Sequence, residues 1–465
     1  MPRSENSASS WFGKSLFFRS GLMMRLVALF VLFLTVGRSV ADERPNIVVL
    51  FSDDAGYADF GFQPSVKSDM KRLTPHIDSI ARDGVRLSSA YMSGAVCSPS
   101  RAGLMTGRYQ QRFGHDNNIP PGYMKSGLPL SETFGAKRMR TAGYTTGLVG
   151  KWHLGYPAAY HPNKRGFDWF YGCLQGSRNY FPYKMKPTPH RVLQENGRET
   201  PETGYVTDRL GDAACRFIGD HRDEPFYLFV SFTAPHGPLQ SKAKHLEALS
   251  GISVVKRRKY AGLVVSLDEN VGKILACLAK NKLDRRTLVI FTNDNGGQTK
   301  TGANNQPLRG RKGQLWEGGI RVPCAMRWPG KIEAGSVIDD PVSSLDFLPT
   351  FLAVAGAATK PEWKLDGVNL LPRLTGKAES LPERDLHWRG GGSKGPIALR
   401  HGPWKMVHNR QYMGGRPLLF RLDTDLSETK DLAEKHPERL AEMVKRASVW
   451  ESQLREPLWG KGSPR

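Results

Sequence analysis

Short apolar runs that end in polar residues dominate the pattern of the chain. Residues 46–52 (NIVVLFS) are apolar without alternation, as expected of a strand buried on both faces. Residues 226–233 and 287–292 repeat this pattern, and residues 145–149 form a shorter version of it. The pattern predicts strands of a buried, largely parallel sheet.

Helical patterns lie between these runs. Thr74-Pro75 is typical of an N-cap followed by proline, and Ile77 and Ile80 continue an apolar stripe that ends at Gly84. Residues 208–219 and 257–280 are the longer helical segments. Strands that alternate with helices predict an α/β fold, with a mostly parallel central sheet flanked by helices.

The pattern changes beyond about residue 375. Short strand-like segments alternate there with Gly- and Pro-containing turns, and residues 437–454 have a helical pattern. The strand-like segments are 386–388, 396–400, 404–408 and 417–422. We therefore predict a catalytic α/β domain over residues 42–378 and a smaller antiparallel sheet plus helix over residues 379–465.

Polar residues follow the predicted strands directly. Since parallel strands bring their carboxyl ends to one edge of a sheet, where ligands bind, we expect these residues to meet there. They are Asp53, Asp54, Lys151, His153, His236, Asp294 and Asn295. Any one of them taken alone is also explained as an ordinary turn residue.

The N-terminus has the pattern of an export signal. An apolar stretch at residues 26–37 follows Lys14, Arg19 and Arg25, and Ser39-Val40-Ala41 ends it. The stretch is shorter than the roughly 20 residues of a membrane-spanning helix. We predict that residues 1–41 are a signal peptide, that the protein is periplasmic or secreted, and that no stable membrane span remains after cleavage. An uncleaved anchor is the alternative.

Composition and charge narrow the function. With 39% hydrophobic and 24% charged residues in 465, the chain is neither disordered nor a polytopic membrane protein. Its net charge of +23 becomes +19 without residues 1–41, a surplus that attracts polyanions. Nucleic-acid-binding motifs are not evident, so we predict no nucleic-acid partner; an anionic polysaccharide fits better. The surplus can equally be without functional meaning.

The chain has five cysteines and no C-x-x-C pair, which gives no sign of a zinc or thioredoxin-like site. Four of them, Cys173, Cys215, Cys277 and Cys324, form two disulfides in one of three connectivities or stay reduced. Cys97 is different, because Pro99 and Arg101 follow it. Pro99 suits the first turn of a helix, so we expect Cys97 just before a helix N-terminus, at an anion site that lowers the pKa of its thiol.

The segment Cys97-Ser98-Pro99-Ser100-Arg101, followed by Leu-x-Thr-Gly-Arg at residues 104–108, resembles the signature of the type I, formylglycine-dependent sulfatases of the alkaline-phosphatase superfamily. The resemblance extends over nearly the whole chain after residue 41. It also includes Asp53-Asp54, residues 150–155, Ala234-Pro235-His236, residues 293–296, Arg311-Lys312-Gly313 and Glu317-Gly318-Gly319. Residues 57–62 and 109–114 resemble bacterial polysaccharide sulfatases more than steroid or lipid sulfatases.

The resemblance implies a modified nucleophile. In that family a separate maturation enzyme oxidises the motif cysteine to formylglycine, so Cys97 would act as an aldehyde hydrate. One hydroxyl of the hydrate attacks the sulfur of a sulfate ester, and the second hydroxyl then expels sulfate and restores the aldehyde.

The same resemblance implies one Ca²⁺, held by Asp53, Asp54, Asp294, the amide oxygen of Asn295 and the modified Cys97. The residue types agree, because hard oxygen ligands suit Ca²⁺ or Mg²⁺ better than Zn²⁺. We also expect a cation because three carboxylates placed together repel one another.

Basic residues complete the expected site. By resemblance, Arg101 and Lys151 steady the hydrate and the motif loop, while Lys312 and His236 hold sulfate and serve the leaving group. Asp294 is the expected base toward the hydrate, and His153 assists regeneration of the aldehyde. Sulfuryl transfer, like phosphoryl transfer, needs this charge stabilisation.

The sequence thus predicts an exported sulfatase acting on a sulfated carbohydrate. One alternative is a phosphate mono- or diester hydrolase of the same superfamily. The other is a non-catalytic protein that binds sulfated glycans through an unmodified Cys97. The sugar and the sulfate position stay open.

Overall fold

The computed structural model describes residues 44–410 and 415–463. A ten-stranded sheet forms its centre, in the order β11-β2-β10-β9-β1-β8-β4-β5-β6-β7. The strands of this sheet are β1 (Asn46–Ser52), β2 (Val85–Leu87), β4 (Thr145–Lys151), β5 (Trp169–Cys173), β6 (Gln194–Glu195), β7 (Arg198–Glu199), β8 (Phe226–Ser231), β9 (Thr287–Asn293), β10 (Cys324–Arg327) and β11 (Ser336–Ile338). A separate short pair joins β3 (Ala90–Tyr91) to β12 (Val342–Ser343).

The predicted parallel sheet is confirmed in its middle. β1 pairs in parallel with both β8 and β9, and β4 pairs in parallel with β8 and β5. Antiparallel pairing begins at β10, which runs against both β9 and β2. The four strands predicted from apolar runs are these central strands, with bounds within two residues of the expected ones.

Helices cover both faces of the central sheet, which explains why β1 is apolar without alternation. Ile47, Val49 and Phe51 point into one core, and Val48 and Leu50 point into the other. The described α-helices are α1 (Pro75–Arg82), α2 (Cys97–Thr106), α3 (Gly135–Thr141), α4 (Val206–Asp220), α5 (Ala243–Ala248), α6 (Val255–Lys280), α7 (Glu317–Ile320), α8 (Phe347–Val354), α9 (Leu371–Leu374) and α10 (Pro437–Glu451). None of these described helices has both the length and the apolarity needed to cross a bilayer.

The predicted C-terminal sheet and helix are also confirmed. The four antiparallel strands are β13 (Asp385–Arg389), β14 (Ile397–His401), β15 (Trp404–His408) and β16 (Leu418–Arg421). One face of this sheet packs against α10 through Leu399, Met406 and Met443. The other face packs against Tyr91 and Ile320 of the larger part. The boundary at 378/379 stays a prediction, and the predicted signal peptide lies outside the described residues.

Candidate active site

The carboxyl edge of the central strands brings the predicted polar residues together. Asp53 and Asp54 follow β1, and Asp294 and Asn295 follow β9, its neighbour in the sheet. Asp54 adopts a left-handed backbone conformation (φ 64°), which is uncommon for residues other than glycine. The backbone N–H of Asp54 donates to Asp294 Oδ1 at 3.1 Å, so the two turns are joined.

Cys97 lies among these acids and begins α2. Its side chain is buried, with Sγ 3.6 Å from Asp53 Oδ1 and 4.0 Å from Asp54 Oδ1. Lys312 Nζ is 3.1 Å from the same sulfur. The residue expected to be the nucleophile therefore contacts both carboxylates of one turn and a cation from another part of the chain.

Each carboxylate at this edge has a protein cation beside it. Lys151 Nζ is 2.6 Å from Asp53 Oδ2, and Lys312 Nζ is 2.6 Å from Asp54 Oδ1. Arg101 Nη2 is 3.3 Å from Asp294 Oδ2. Three positive groups thus offset three negative ones, and repulsion between the carboxylates does not by itself require a bound cation. The bound cation stays a prediction.

The pKa values follow from burial and these pairs. Burial and the nearby Asp294 raise the pKa of Asp53, and Lys151 only partly offsets them. Burial opposes ionisation of Asp54 and Asp294 too, but their cations outweigh it and hold the pKa of each below its usual value. Asp54 owes this to Lys312 and His236, and Asp294 to Arg101 and Lys151.

The prediction that the pKa of the Cys97 thiol is lowered is wrong. Burial and the Asp294 carboxylate raise the pKa of the Cys97 thiol to about 12, despite Lys151 and Lys312. Desolvation disfavours a thiolate more than a helix N-terminus favours it when acids are close by. An unmodified thiol at this position is therefore a poor nucleophile.

The two predicted histidines differ in their surroundings. His236 Nε2 is 3.5 Å from Asp54 Oδ2, and its Nδ1 is 2.7 Å from the carbonyl of Gly237. That carbonyl can only accept, so Nδ1 carries the proton and Nε2 faces the site. His153 is buried with a left-handed backbone (φ 62°). Burial and Lys151 lower the pKa of its imidazole, so His153 is neutral.

Sequence reasoning missed residues that orient the predicted ones. Ser231, the last residue of β8, accepts a hydrogen bond from Arg101 Nη1 at 2.5 Å. The Ser98 hydroxyl donates to the carbonyl of His153 at 2.7 Å and is 2.7 Å from His115 Nε2. Ser231 was within reach of sequence analysis as a small polar residue at a strand end, whereas nothing local to His115 indicates this contact.

The residues at this edge fit a hard cation. Ligand atoms of Asp53, Asp54, Cys97 and His236 lie within 4.8 Å of one another. Asn295 joins the group through a hydrogen bond from its Nδ2 to Asp54 Oδ1 at 2.9 Å. Asn295 Oδ1 is buried without a hydrogen-bond partner, and a cation is a partner that such an oxygen lacks. With mostly oxygen donors, the group suits Ca²⁺ or Mg²⁺.

This fold, with acids, bases and a motif residue at the carboxyl edge of the sheet, defines a hydrolase of the alkaline-phosphatase superfamily. The family model "Sulfatase" matches residues 45–357. The chain belongs to the sulfatase family, as the motif residues predicted.

Curated relatives and solved structures agree with this assignment. The chain is 35% identical over 379 residues to mouse N-acetylgalactosamine-6-sulfatase, covering 75% of this chain and 70% of the relative. It is 32% identical over 335 residues to mouse arylsulfatase J, which is 70% of this chain but only 55% of that longer protein. The crystal structure of Ps i-CgsB in complex with k-i-k-neocarrahexaose superposes with a TM-score of 0.84 at 37% identity, covering 90% of this chain and 94% of that one.

Proposed function

We propose that this protein hydrolyses sulfate esters of a sulfated carbohydrate, with residue 97 as the nucleophile after conversion of Cys97 to formylglycine. The observation that carries the proposal is the position of Cys97: the complete motif places it in contact with Asp53, Asp54 and Lys312. The raised pKa of the plain thiol supports a modified nucleophile rather than a thiolate. Conversion requires a separate maturation enzyme as a partner.

Two groups supply chemistry that the unmodified side chains lack. A formylglycine hydrate offers two hydroxyls on one carbon, one to attack sulfur and one to release sulfate. A Ca²⁺ held by Asp53, Asp54, Asp294 and Asn295 would supply positive charge for the sulfate oxygens and for a deprotonated hydroxyl.

The remaining roles fall to residues with a fixed position. Ser231 and Asp294 orient Arg101 from two sides. Lys151 and Lys312 provide cations for the charge that develops on sulfate oxygens during transfer. His236 faces the site through Nε2, and when both of its ring nitrogens carry a proton, Nε2 is placed to give one to the leaving alcohol. Neutral His153, whose buried Nδ1 has no hydrogen-bond partner, can accept a proton when the aldehyde re-forms.

Space and charge beside the site support a carbohydrate substrate. A cavity of about 550 Å³ lies between the motif loop and the C-terminal sheet. Val96, Pro99 and Gly313, which flank the motif cysteine and Lys312, form one side of it, and Arg309 is among the cations in its lining. The oligosaccharide named with Ps i-CgsB and the sugar named for the mouse relative are consistent with this substrate class. Export through residues 1–41 would place the enzyme where such polysaccharides occur.

Mass spectrometry of the peptide that contains residue 97, combined with a sulfate-release assay on sulfated oligosaccharides, tests the proposal. We expect the mass of formylglycine in active preparations and no turnover by Cys97→Ala. Full activity in a preparation whose Cys97 is entirely unmodified contradicts it. Matched phosphate esters at the same enzyme concentration should release no phosphate, and phosphate release at a comparable rate would favour the phosphate-ester alternative.

A further inference from the structure

The five cysteines fall into two groups. Cys97, Cys173 and Cys324 are buried, whereas Cys215 and Cys277 are partly exposed. Cys215 lies on α4 and Cys277 near the end of α6, two helices that pack side by side on one face of the central sheet. Cys173 on β5 and Cys324 on β10 are separated by four intervening strands, so they cannot bridge to each other.

The two partly exposed cysteines are in contact through the backbone of Cys215. Cys277 Sγ lies 3.5 Å from the carbonyl of Cys215, and Cys215 Sγ lies 3.7 Å from the carbonyl of Lys273. Its interaction with the Cys215 side chain lowers the pKa of Cys277 to about 7, and the same interaction raises the pKa of Cys215. Cys277 therefore has thiolate character at neutral pH and sits beside a second thiol that can resolve a mixed disulfide.

We infer that Cys215 and Cys277 form a disulfide that joins α4 to α6. The oxidant is a thiol–disulfide exchange partner, either a small disulfide such as oxidised glutathione or a protein disulfide. The Cys277 thiolate attacks one sulfur of the donor and releases its first thiol. Cys215 then loses its proton and attacks Cys277 Sγ, which expels the second thiol. Two protein thiols are oxidised and one donor disulfide is reduced to two thiols.

Such a bond would act on stability rather than on catalysis. It closes a loop of about sixty residues and so removes conformational freedom from the unfolded chain. Neither cysteine contacts the candidate active site. We expect the oxidised protein to melt on the order of 5 °C higher than the reduced protein, with the same kcat and KM.

The test treats the full-length protein with oxidised glutathione, blocks free thiols and digests it with trypsin. The expected product is a linked pair of peptides, residues 210–216 and 274–280, that dithiothreitol separates. Cys173 and Cys324 should react with the blocking reagent only after unfolding. Separate blocked or glutathionylated forms of both cysteines, with no linked pair, would overturn the inference.

Cys215→Ser provides the matched control for melting. Its midpoint should match that of the reduced parent and should not respond to oxidised glutathione. If the melting midpoint of the parent also fails to respond to oxidised glutathione, although the linked peptides have formed, the disulfide has no stabilising role.

A second, independent observation concerns a buried ion cluster. Lys405 of β15 lies 2.8 Å from both Glu317 Oε1 and Glu428 Oε1, and all three side chains are fully buried. Glu428 has a left-handed backbone (φ 53°). The cluster connects the C-terminal sheet to the first residue of α7.

Glu428 holds both ends of the segment that carries Lys312. Its carboxylate accepts the backbone N–H of Glu317 at 2.7 Å, and its carbonyl accepts a hydrogen bond from Arg309 Nη1 at 2.9 Å. Lys312 lies between these two anchors. The geometry points to Glu428 as a positioning residue that sets where Lys312 Nζ meets Asp54 and Cys97. This assignment rests on the proposed function, in which Lys312 holds sulfate.

The assignment is tested by measuring how Glu428→Ala changes sulfate binding in the parent and in the Lys312→Ala variant. Glu428→Ala should raise the dissociation constant for sulfate about 10-fold in the parent, measured by calorimetry. Lys312→Ala alone should raise it as well, and adding Glu428→Ala should then change it little, because coupled residues are not additive. Glu428→Gln, which keeps an acceptor for the Glu317 N–H, should recover part of the loss.

Two results overturn the assignment. One is an equal loss of sulfate affinity from Glu428→Ala in the parent and in Lys312→Ala, and the other is no loss of sulfate affinity in either. The proposed function fails separately, if the parent releases sulfate from no sulfate ester. Calorimetry needs no turnover, so the result for Glu428 stays interpretable in that case.

Discussion

The carboxylates around Cys97 are each paired with a cationic side chain. A substitution of one partner therefore removes an ion pair as well as a charge. Asp294 touches Arg101 at 3.3 Å and accepts the N–H of Asp54, so it joins the charge balance of the site to the geometry of the opposite turn. Asn295 Oδ1 is a buried acceptor without a hydrogen-bond partner. The negative charge of Asp294 and the unpaired oxygen of Asn295 therefore belong to neighbouring residues, and a cation is expected there.

Asp294→Asn keeps the shape of this side chain and removes its charge. We expect kcat/KM for a sulfate ester to fall by about 100-fold, as when a preorganised electrostatic group is lost. Calcium retained after dialysis, measured by elemental analysis, should fall as well. Asp340→Asn, which alters a carboxylate paired with Arg373 away from the site, serves as the control. Stoichiometric zinc without calcium in the active parent would instead favour the phosphate-ester reading.

At the scale of elements, the burial of α2 limits when the proposed conversion of Cys97 can take place. All ten residues of this helix are buried, including the motif residues Pro99 and Arg101. A maturation enzyme cannot contact a motif that lies inside the folded protein.

Folded, unconverted protein should therefore resist conversion. A synthetic peptide of residues 90–112 should be converted by the maturation enzyme, while the folded chain should keep its cysteine, as read by peptide mass spectrometry. Unfolding and refolding in the presence of the enzyme should restore conversion. Equal conversion of peptide and folded chain would show that the helix opens without global unfolding.

The α1–α6 contact makes stability depend on pH. Asp268 of α6 is buried and accepts the backbone N–H groups of Ile77 at 2.8 Å and His76 at 3.3 Å. Burial raises the pKa of this carboxyl to about 7, against about 3.9 in an unfolded chain. Between these values the folded state binds a proton that the unfolded state does not, so this group lowers stability as pH rises from about 4 to about 7.

Asp268→Asn keeps an acceptor for Ile77 and removes the titration. Relative to the parent, its free energy of unfolding should increase between pH 5 and pH 8 by on the order of 2 kcal/mol. Urea unfolding at the two pH values measures the difference. The partly exposed Asp83→Asn should show no such trend, and a constant offset for Asp268→Asn would contradict the linkage.

For the whole molecule, the positive surplus matters most. The net charge of +19 from residue 42 onward produces a field that draws in polyanions, and salt screens exposed charges over about 10 Å at 0.1 M. Arg309 and Lys461 line the cavity beside the site, where Arg389 is paired with Asp116 at 2.9 Å.

The field should act on large substrates more than on small ones. We expect kcat/KM for a multiply sulfated oligosaccharide to fall several-fold between 0.05 and 0.5 M salt, and that of a small aryl sulfate to change much less. The aryl sulfate should also be the poorer substrate, because it lacks remote contacts. If kcat/KM and its salt dependence were the same for both substrates, the preference for polyanions would be rejected and the protein would be a generic arylsulfatase.

The sequence alone determined the central strands and the family, and it predicted which polar residues meet at the carboxyl edge of the sheet. Buried parallel strands are continuous apolar runs, and their carboxyl ends must share an edge, so both features are encoded locally. Even so, Thr74 shows the limit of local signals. Its hydroxyl bonds to Asp78 instead of capping α1, and Asp268, which lies 191 residues from Ile77, accepts the free N–H groups of that helix.

Tertiary structure decided everything that depends on desolvation or on contacts between distant segments. The Cys97 pKa rises because acids and burial surround it, the three carboxylates are balanced by three cations, and Ser231 and Glu428 position residues far away in sequence. The contact between Cys215 and Cys277 follows from the packing of α4 on α6. The sequence shows which residues are apolar, but it does not show which distant side chains are buried next to one another. Their charge and reactivity depend on those buried contacts.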